Sequence, residues 1–192
     1  MRENELILYH DFASPYCRLA FEVGRRVAAH AGLQLRLEPF ELRPAPEPLP
    51  DVGDPAIQEE LASALPLAAE WRIDLHPPPL LPRTRKAHEA VLLARADGRE
   101  VALAAALYQA LWVEGRDIGR LDALAAAATA AGLDAPAMHV SLGLDAAREE
   151  TRRALEAAES AGITGVPTFV LGDRAIVGLV APDRLGAWVA GE

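Results

Sequence analysis

One cysteine in 192 residues is the first constraint this chain sets. Cys17 has no partner within the molecule, so an internal disulfide is excluded. Lysine is almost missing as well: Lys86 is the only one, and the other basic residues are arginine. Aromatic residues make up 5% against 51% hydrophobic residues, so much of the apolar content is alanine. Alanine loses no side-chain entropy in a helix, so a mostly helical protein with close-packed helices is expected. Cationic excess is absent too. The net charge is -9, and an acidic surface repels phosphate backbones, which argues against nucleic acid as a partner. No apolar run approaches the roughly 20 residues of a membrane span. The N-terminus lacks the basic start and apolar core of a signal peptide. A cytoplasmic location, where thiols stay reduced, is the expectation. The five histidines and one cysteine have no metal-ligand spacing, so no metal is expected.

What is present reads as three blocks. Glu5–Asp11 has the character of a strand. Ser14 then has the type of a helix N-cap with Pro15 at the first helical position, where its missing N–H costs nothing. That helix should run to about Ala31 and end at Gly32. Leu33, Leu35 and Leu37 alternate with polar residues at strand spacing. Residues 43–55 are proline-rich and predict no regular structure. A helix starts at Asp54-Pro55, with Pro66 kinking or splitting it. His76–Pro82 is a stiff connection. Helical stretches follow over 83–96, 99–114 and 121–131, and an amphipathic one over 144–161. The tail changes character. Thr168–Leu171 and Arg174–Val177 are β-branched runs joined by Gly172-Asp173, which suits a type II′ hairpin, and a last helix runs from Pro182 to Trp188. The order is therefore β-α-β, a helical block, then α-β-β-α. It predicts one α/β domain over 1–192: a mixed sheet with helices on both faces and a large all-helical insertion, at about 43–143, over one end of the sheet.

Two short stretches carry the chemistry. Ser14-Pro15-Tyr16-Cys17 sits between the first strand and the first helix. Val166-Pro167-Thr168 opens a later strand with a proline that gives no ladder N–H, and a cis Val166–Pro167 bond is expected there. Asp11-Phe12-Ala13-Ser14-Pro15-Tyr16 resembles the start of 2-hydroxychromene-2-carboxylate isomerases and kappa-class glutathione transferases. Lys86-Ala87-His88, Glu114-Gly115-Arg116-Asp117-Ile118 and the segment from Gly162 to Phe169 resemble FrnE-like oxidoreductases. Over nearly its whole length the chain is similar to the DsbA family of the thioredoxin superfamily. The resemblance implies a thioredoxin fold and thiol oxidoreductase-type chemistry. FrnE-like proteins carry C-P-W-C where this chain has Ser14-Pro15-Tyr16-Cys17, so glutathione as cosubstrate is expected in place of an internal dithiol. A glutathione-dependent isomerase or transferase acting on a small electrophilic or aromatic compound is the alternative. A non-catalytic module that binds extended peptides is the second.

In this reading no cofactor is bound, and Ser14 activates a borrowed thiolate at the positive end of the helix. Pro15 and Tyr16 lie against the ligand, and the Val166 backbone beside Pro167 pairs with it as an added strand does. Arg83, Arg85 or Lys86 would meet its carboxylates. Cys17 is an accessory or monothiol centre, set against its reading as a small buried hydrophobe. His10, at the end of the first strand, is a candidate base, and His88 a candidate site contact. His30, His76 and His139 read as structural or exposed. Trp71, Trp112 and Trp188 read as core. Relatives of the family pair up, so a homodimer is among the expected partners.

Overall fold

The computed structural model describes residues 4–192. Its sheet has four strands in the order β2-β1-β3-β4, formed by β1 (Glu5–His10), β2 (Gln34–Pro39), β3 (Thr168–Leu171) and β4 (Arg174–Val177). β1 runs parallel to β2 and antiparallel to β3, and β3 runs antiparallel to β4. The parallel pair needs a crossover, and α1 (Pro15–Ala31) supplies it. The antiparallel pair needs only a turn. Gly172 has φ 64°, while Asp173 is not among the positive-φ residues, as a type II′ turn requires.

Strand alternation decides which face is core. Leu6, Leu8, Leu37 and Phe169 are buried on the side that receives α1. Gly24 of α1 is part of that fit. A Cβ there would lie 2.7 Å from Phe169 Cε1, so only glycine lets helix and sheet approach this closely. α8 (Pro182–Ala190) packs beside α1. The other edge is closed electrostatically. Glu100 accepts from the Leu37 N–H at 3.0 Å and pairs with Arg36 and Arg95, so the edge of β2 is covered.

Between β2 and α7 (Arg148–Ser160) lie α2 (Pro55–Trp71), α3 (Arg85–Arg95), α4 (Glu100–Trp112), α5 (Leu121–Ala130) and α6 (Ala135–Gly143). Their buried faces join the sheet in one contiguous core running from Leu6 and Phe169 through Leu61 and Leu103 to Leu142. Pro66 does not split the segment into two helices: α2 continues without a break. The carbonyl it deprives belongs to Ala62, on the exposed side, open to solvent. α6 was not anticipated. Asp134 caps it by accepting from the Ala137 N–H at 2.9 Å. The predicted 144–161 helix begins only at Arg148, because Asp145 adopts φ 55° between α6 and α7. Of the three tryptophans only Trp112 is fully buried. Trp71 and Trp188 are half-buried.

Candidate active site at the start of the first helix

β1 ends at His10, and four residues later α1 begins. Ser14 is the N-cap: its backbone is extended, and Oγ accepts from the Cys17 N–H at 3.3 Å. The Ser14 hydroxyl is also within hydrogen-bonding reach of the Cys17 sulfur. The first turn of α1 contains no acidic side chain, although the Asp11 and Glu60 carboxylates act on Cys17 from outside the helix. The Val166–Pro167 bond is cis. Tyr9 pairs with Thr168 in the β1–β3 ladder, so one further step of the register sets Pro167 beside His10, at the end of β1 from which the Ser14 loop departs. Pro167 is buried and its carbonyl accepts from Gly178 at 2.8 Å. The half-buried Val166 makes no backbone hydrogen bond among the described residues. Tyr16 is half-buried, and Pro15 is buried.

The loop from His10 to Ser14 is held from several directions. Asp11 is buried, with Oδ2 accepting from Leu42 N–H at 2.7 Å and Oδ1 from Ala13 N–H at 3.1 Å. His88 Nε2 lies 3.8 Å from Asp11 Oδ1, an ion-pair distance, and has no hydrogen-bond partner. Burial works against the Asp11 carboxylate, but the His88 ring and the two backbone N–H groups outweigh it and hold this carboxyl below its ordinary range. His10 Nδ1 is 2.9 Å from the Tyr108 hydroxyl, and Trp112 donates its indole N–H to the Phe12 carbonyl at 2.8 Å. Burial, and next the neighbouring His88 ring, push His10 well below the usual histidine range, so the ring is neutral. A neutral ring bonded to Tyr108 and fully buried does not serve as a solvent-linked base, and that role is withdrawn.

This burial has a measurable sign. His10 must take up a proton on unfolding in acid, since its folded value lies below its unfolded one. Its contribution to stability is full above about pH 6.5 and is lost as pH falls, at no more than about 1.4 kcal/mol per pH unit. Asp11 acts in the same sense below about pH 4. Denaturant midpoints measured across this range should fall with acidification, and a His10→Phe variant should flatten the limb just below neutrality.

Cys17 is 0% exposed. Its sulfur accepts from the Asp11 N–H at 3.5 Å, and burial pushes the thiol up to about 12 against the help of that N–H and of Ser14. No thiolate exists there at neutral pH, so the monothiol role does not fit, and the small buried hydrophobe does. Native protein should react with a thiol reagent at least about a hundredfold more slowly than denatured protein. Labelling rates by mass spectrometry check this.

Of the cations expected to meet carboxylates, Arg85 and Lys86 are already paired with acidic side chains, and Arg83 is oriented by carbonyls. Arg83 donates to the carbonyls of Arg43 and Glu47, Arg85 pairs with Glu41 at 2.6 Å, and Lys86 holds Glu89 at 2.7 Å together with Asp145. They brace the proline-rich segment and the α3–α6 contact instead. Sequence reasoning missed the Asp11 tether, Tyr108 and the buried Arg18, which donates to Glu22 at 2.9 Å and lies over the Tyr108 ring. It also missed a narrow apolar crevice, too tight to hold a water molecule, beside Ala13 and Pro15, walled by Ile57 and Leu61 of α2 and by Leu81 and Trp112, with Glu60 the one carboxylate in its wall. Val52 and Leu81 are shared with an open cleft of about 460 Å³ under the proline-rich segments, where Leu49 and Leu80 are exposed. Ser14 itself is 3% exposed, so a ligand reaches Oγ only as the groups covering it move aside.

A four-stranded sheet in this order, a prolyl turn opening β3 and a capped helix beside that turn define a thioredoxin fold with a serine at the first motif position. The chain belongs to the DSBA-like thioredoxin domain family, which matches residues 5–188. It is 30% identical over 181 residues to the uncharacterized protein YwbO of Bacillus subtilis, covering 92% of this chain and 90% of that protein. Two solved structures share its fold. A 2-hydroxychromene-2-carboxylate isomerase has a TM-score of 0.79 at 24% identity, covering 97% of this chain and 93% of that one. The cytosolic disulfide reductase DsbM from Pseudomonas aeruginosa, solved with GSH, has a TM-score of 0.72 at 23% identity, covering 97% and 96%. Among the described residues no helix is long and apolar enough to cross a membrane, and no cluster of side chains is arranged to hold a metal ion.

Proposed function

We propose that the protein is a glutathione-dependent enzyme in which the thiol is brought by the cosubstrate and activated by Ser14. The observation that carries this is the Ser14 hydroxyl at the N-terminus of α1: its oxygen is fixed by the Cys17 N–H, in a first turn without an acidic side chain. A sulfur set there accepts the O–H and feels the helix dipole, both of which favour the thiolate. The unpaired N–H and C=O of Val166 hold the tripeptide extended, as an added strand is held. The S–H proton passes to solvent, and the thiolate adds to an electrophilic carbon of a small apolar substrate.

The apolar crevice beside Pro15 supports this isomerase or transferase chemistry once it widens to admit a substrate, since its walls come from the helical block and its edge from the two neighbours of Ser14. The second reading is a disulfide reductase that uses glutathione, supported by the GSH held in the DsbM structure. With Cys17 inert, the glutathione thiolate itself would attack the substrate disulfide, forming a mixed disulfide and releasing one substrate thiolate.

Titration calorimetry with glutathione tests the shared part: saturable binding is expected, weakened in Ser14→Ala. No heat with either protein would leave the non-catalytic peptide-binding module. Turnover of a glutathione-reactive chloronitrobenzene with no insulin reduction supports addition chemistry, and the reverse pattern supports the reductase.

A further inference from the structure

A large cleft among the described residues lies away from Ser14. It has a volume of about 750 Å³ and lies between the C-terminal half of α1, the β3–β4 turn and α8. At 1.5 Å per residue along α1, it begins roughly 18 Å from the active-site corner. Its volume falls in the range that holds a small molecule.

Its walls are aliphatic: Val27, Leu33, Leu171, Pro182 and Val189 contribute, and no aromatic ring does. The rim carries Arg26, Arg174 and His30, and neither aspartate nor glutamate lines the cleft, in a chain whose net charge is -9. Neither arginine pairs with a carboxylate among the described residues. Both are nevertheless fixed in place. Arg26 donates to the Trp71 and Arg72 carbonyls at 3.0 and 3.4 Å, and Arg174 donates to the Trp188 carbonyl at 2.8 Å with its guanidinium 5.0 Å from that indole ring. Carbonyls orient a guanidinium without neutralising it. Two pre-positioned positive charges therefore outweigh the roughly half negative charge at the end of α1.

We infer that this cleft is a binding site for a free alkyl carboxylate of medium chain length, with the chain along the aliphatic wall and the head between Arg26 and Arg174. A guanidinium fork matches a carboxylate in plane, and an unbranched chain suits walls without rings. The inference is independent of the chemistry assigned to Ser14.

The probe is decanoate below its micelle concentration, followed by calorimetry and by the fluorescence of Trp188 under Arg174. Gly186 lines the cleft, and a Cβ there meets nothing within 4 Å, so Gly186→Leu starts from an unobstructed Cβ and narrows the cleft. Saturable binding is expected, at least about tenfold weaker in Gly186→Leu and about tenfold weaker in an Arg26→Gln/Arg174→Gln double variant. Decanol should bind about tenfold more weakly than decanoate, with the difference shrinking at high salt. Gly186→Leu should leave glutathione binding unchanged. No saturable binding of decanoate overturns the inference. So does equal binding of decanol, binding undiminished in Gly186→Leu, or a change of molecular mass in Gly186→Leu, which would mark the cleft as a contact between copies.

Discussion

Ser14→Ala is expected to lower glutathione-dependent turnover by about ten- to a hundredfold while the protein stays folded. The size follows from what one hydroxyl does for a bound thiolate. A hydrogen bond to a charged group contributes about 1.5–3 kcal/mol, which converts to that range of rates when the bond is made to the reacting form. Alanine also removes the N-cap that accepts from the Cys17 N–H, at a cost of about 1 kcal/mol in stability. The two effects separate cleanly. Thermal unfolding should shift by a few degrees, and the circular dichroism spectrum should be unchanged. Ser14→Thr, which keeps a hydroxyl and a cap, should recover most of the activity if the added methyl is tolerated. Full turnover in Ser14→Ala would remove Ser14 from the chemistry and leave it as a cap.

The largest loss of stability should come from Trp112→Ala. Trp112 is 1% exposed and fills the junction of α4 with the β1–α1 loop. Truncating a buried tryptophan costs about 3–5 kcal/mol. The Phe12 carbonyl, buried and bonded to the indole at 2.8 Å, then loses its donor, adding about 1–3 kcal/mol. That is a large part of the 5–15 kcal/mol that holds a domain folded, so a drop in midpoint of roughly 10 °C or more is expected by calorimetry. Trp112→Phe keeps most of the volume and loses only the hydrogen bond. It should cost far less, yet it loosens the loop that presents Ser14 and should lower turnover more than stability. A midpoint unchanged in Trp112→Ala would contradict the packing described for this corner.

The frame of the fold was legible because its signals are local. Ser14-Pro15 marks a helix start, Gly32 its end at φ 69°, and Gly172 the hairpin, and each acts within a few residues. Strand alternation named the buried face of β2, at Leu35 and Leu37, for the same reason. α6 escaped because nine residues with apolar side chains all round carry little periodicity, and its cap at Asp134 is one residue. Pro66 misled because the cost of an interior proline depends on whether the deprived carbonyl meets water, which only the packed helix decides. The site was legible in its parts and not in its state. Ser14, Pro15 and Val166-Pro167 stand out in the chain. The inertness of Cys17 depends on burial beneath the Asp11 loop and on Tyr108, 91 residues away. The occupation of Arg83, Arg85 and Lys86 depends on partners from other segments. Residue type announces a charge; only the fold says whether that charge is spent.

The claim at the centre is that Ser14 turns a borrowed thiol into a thiolate. The ultraviolet absorbance of the thiolate reports this directly when a saturated glutathione complex is titrated with base. The bound thiol should ionise at least one pH unit below the free-thiol value of about 8.5 in the wild-type protein, and return towards it in Ser14→Ala. Ionisation at the free value in both proteins would contradict the account.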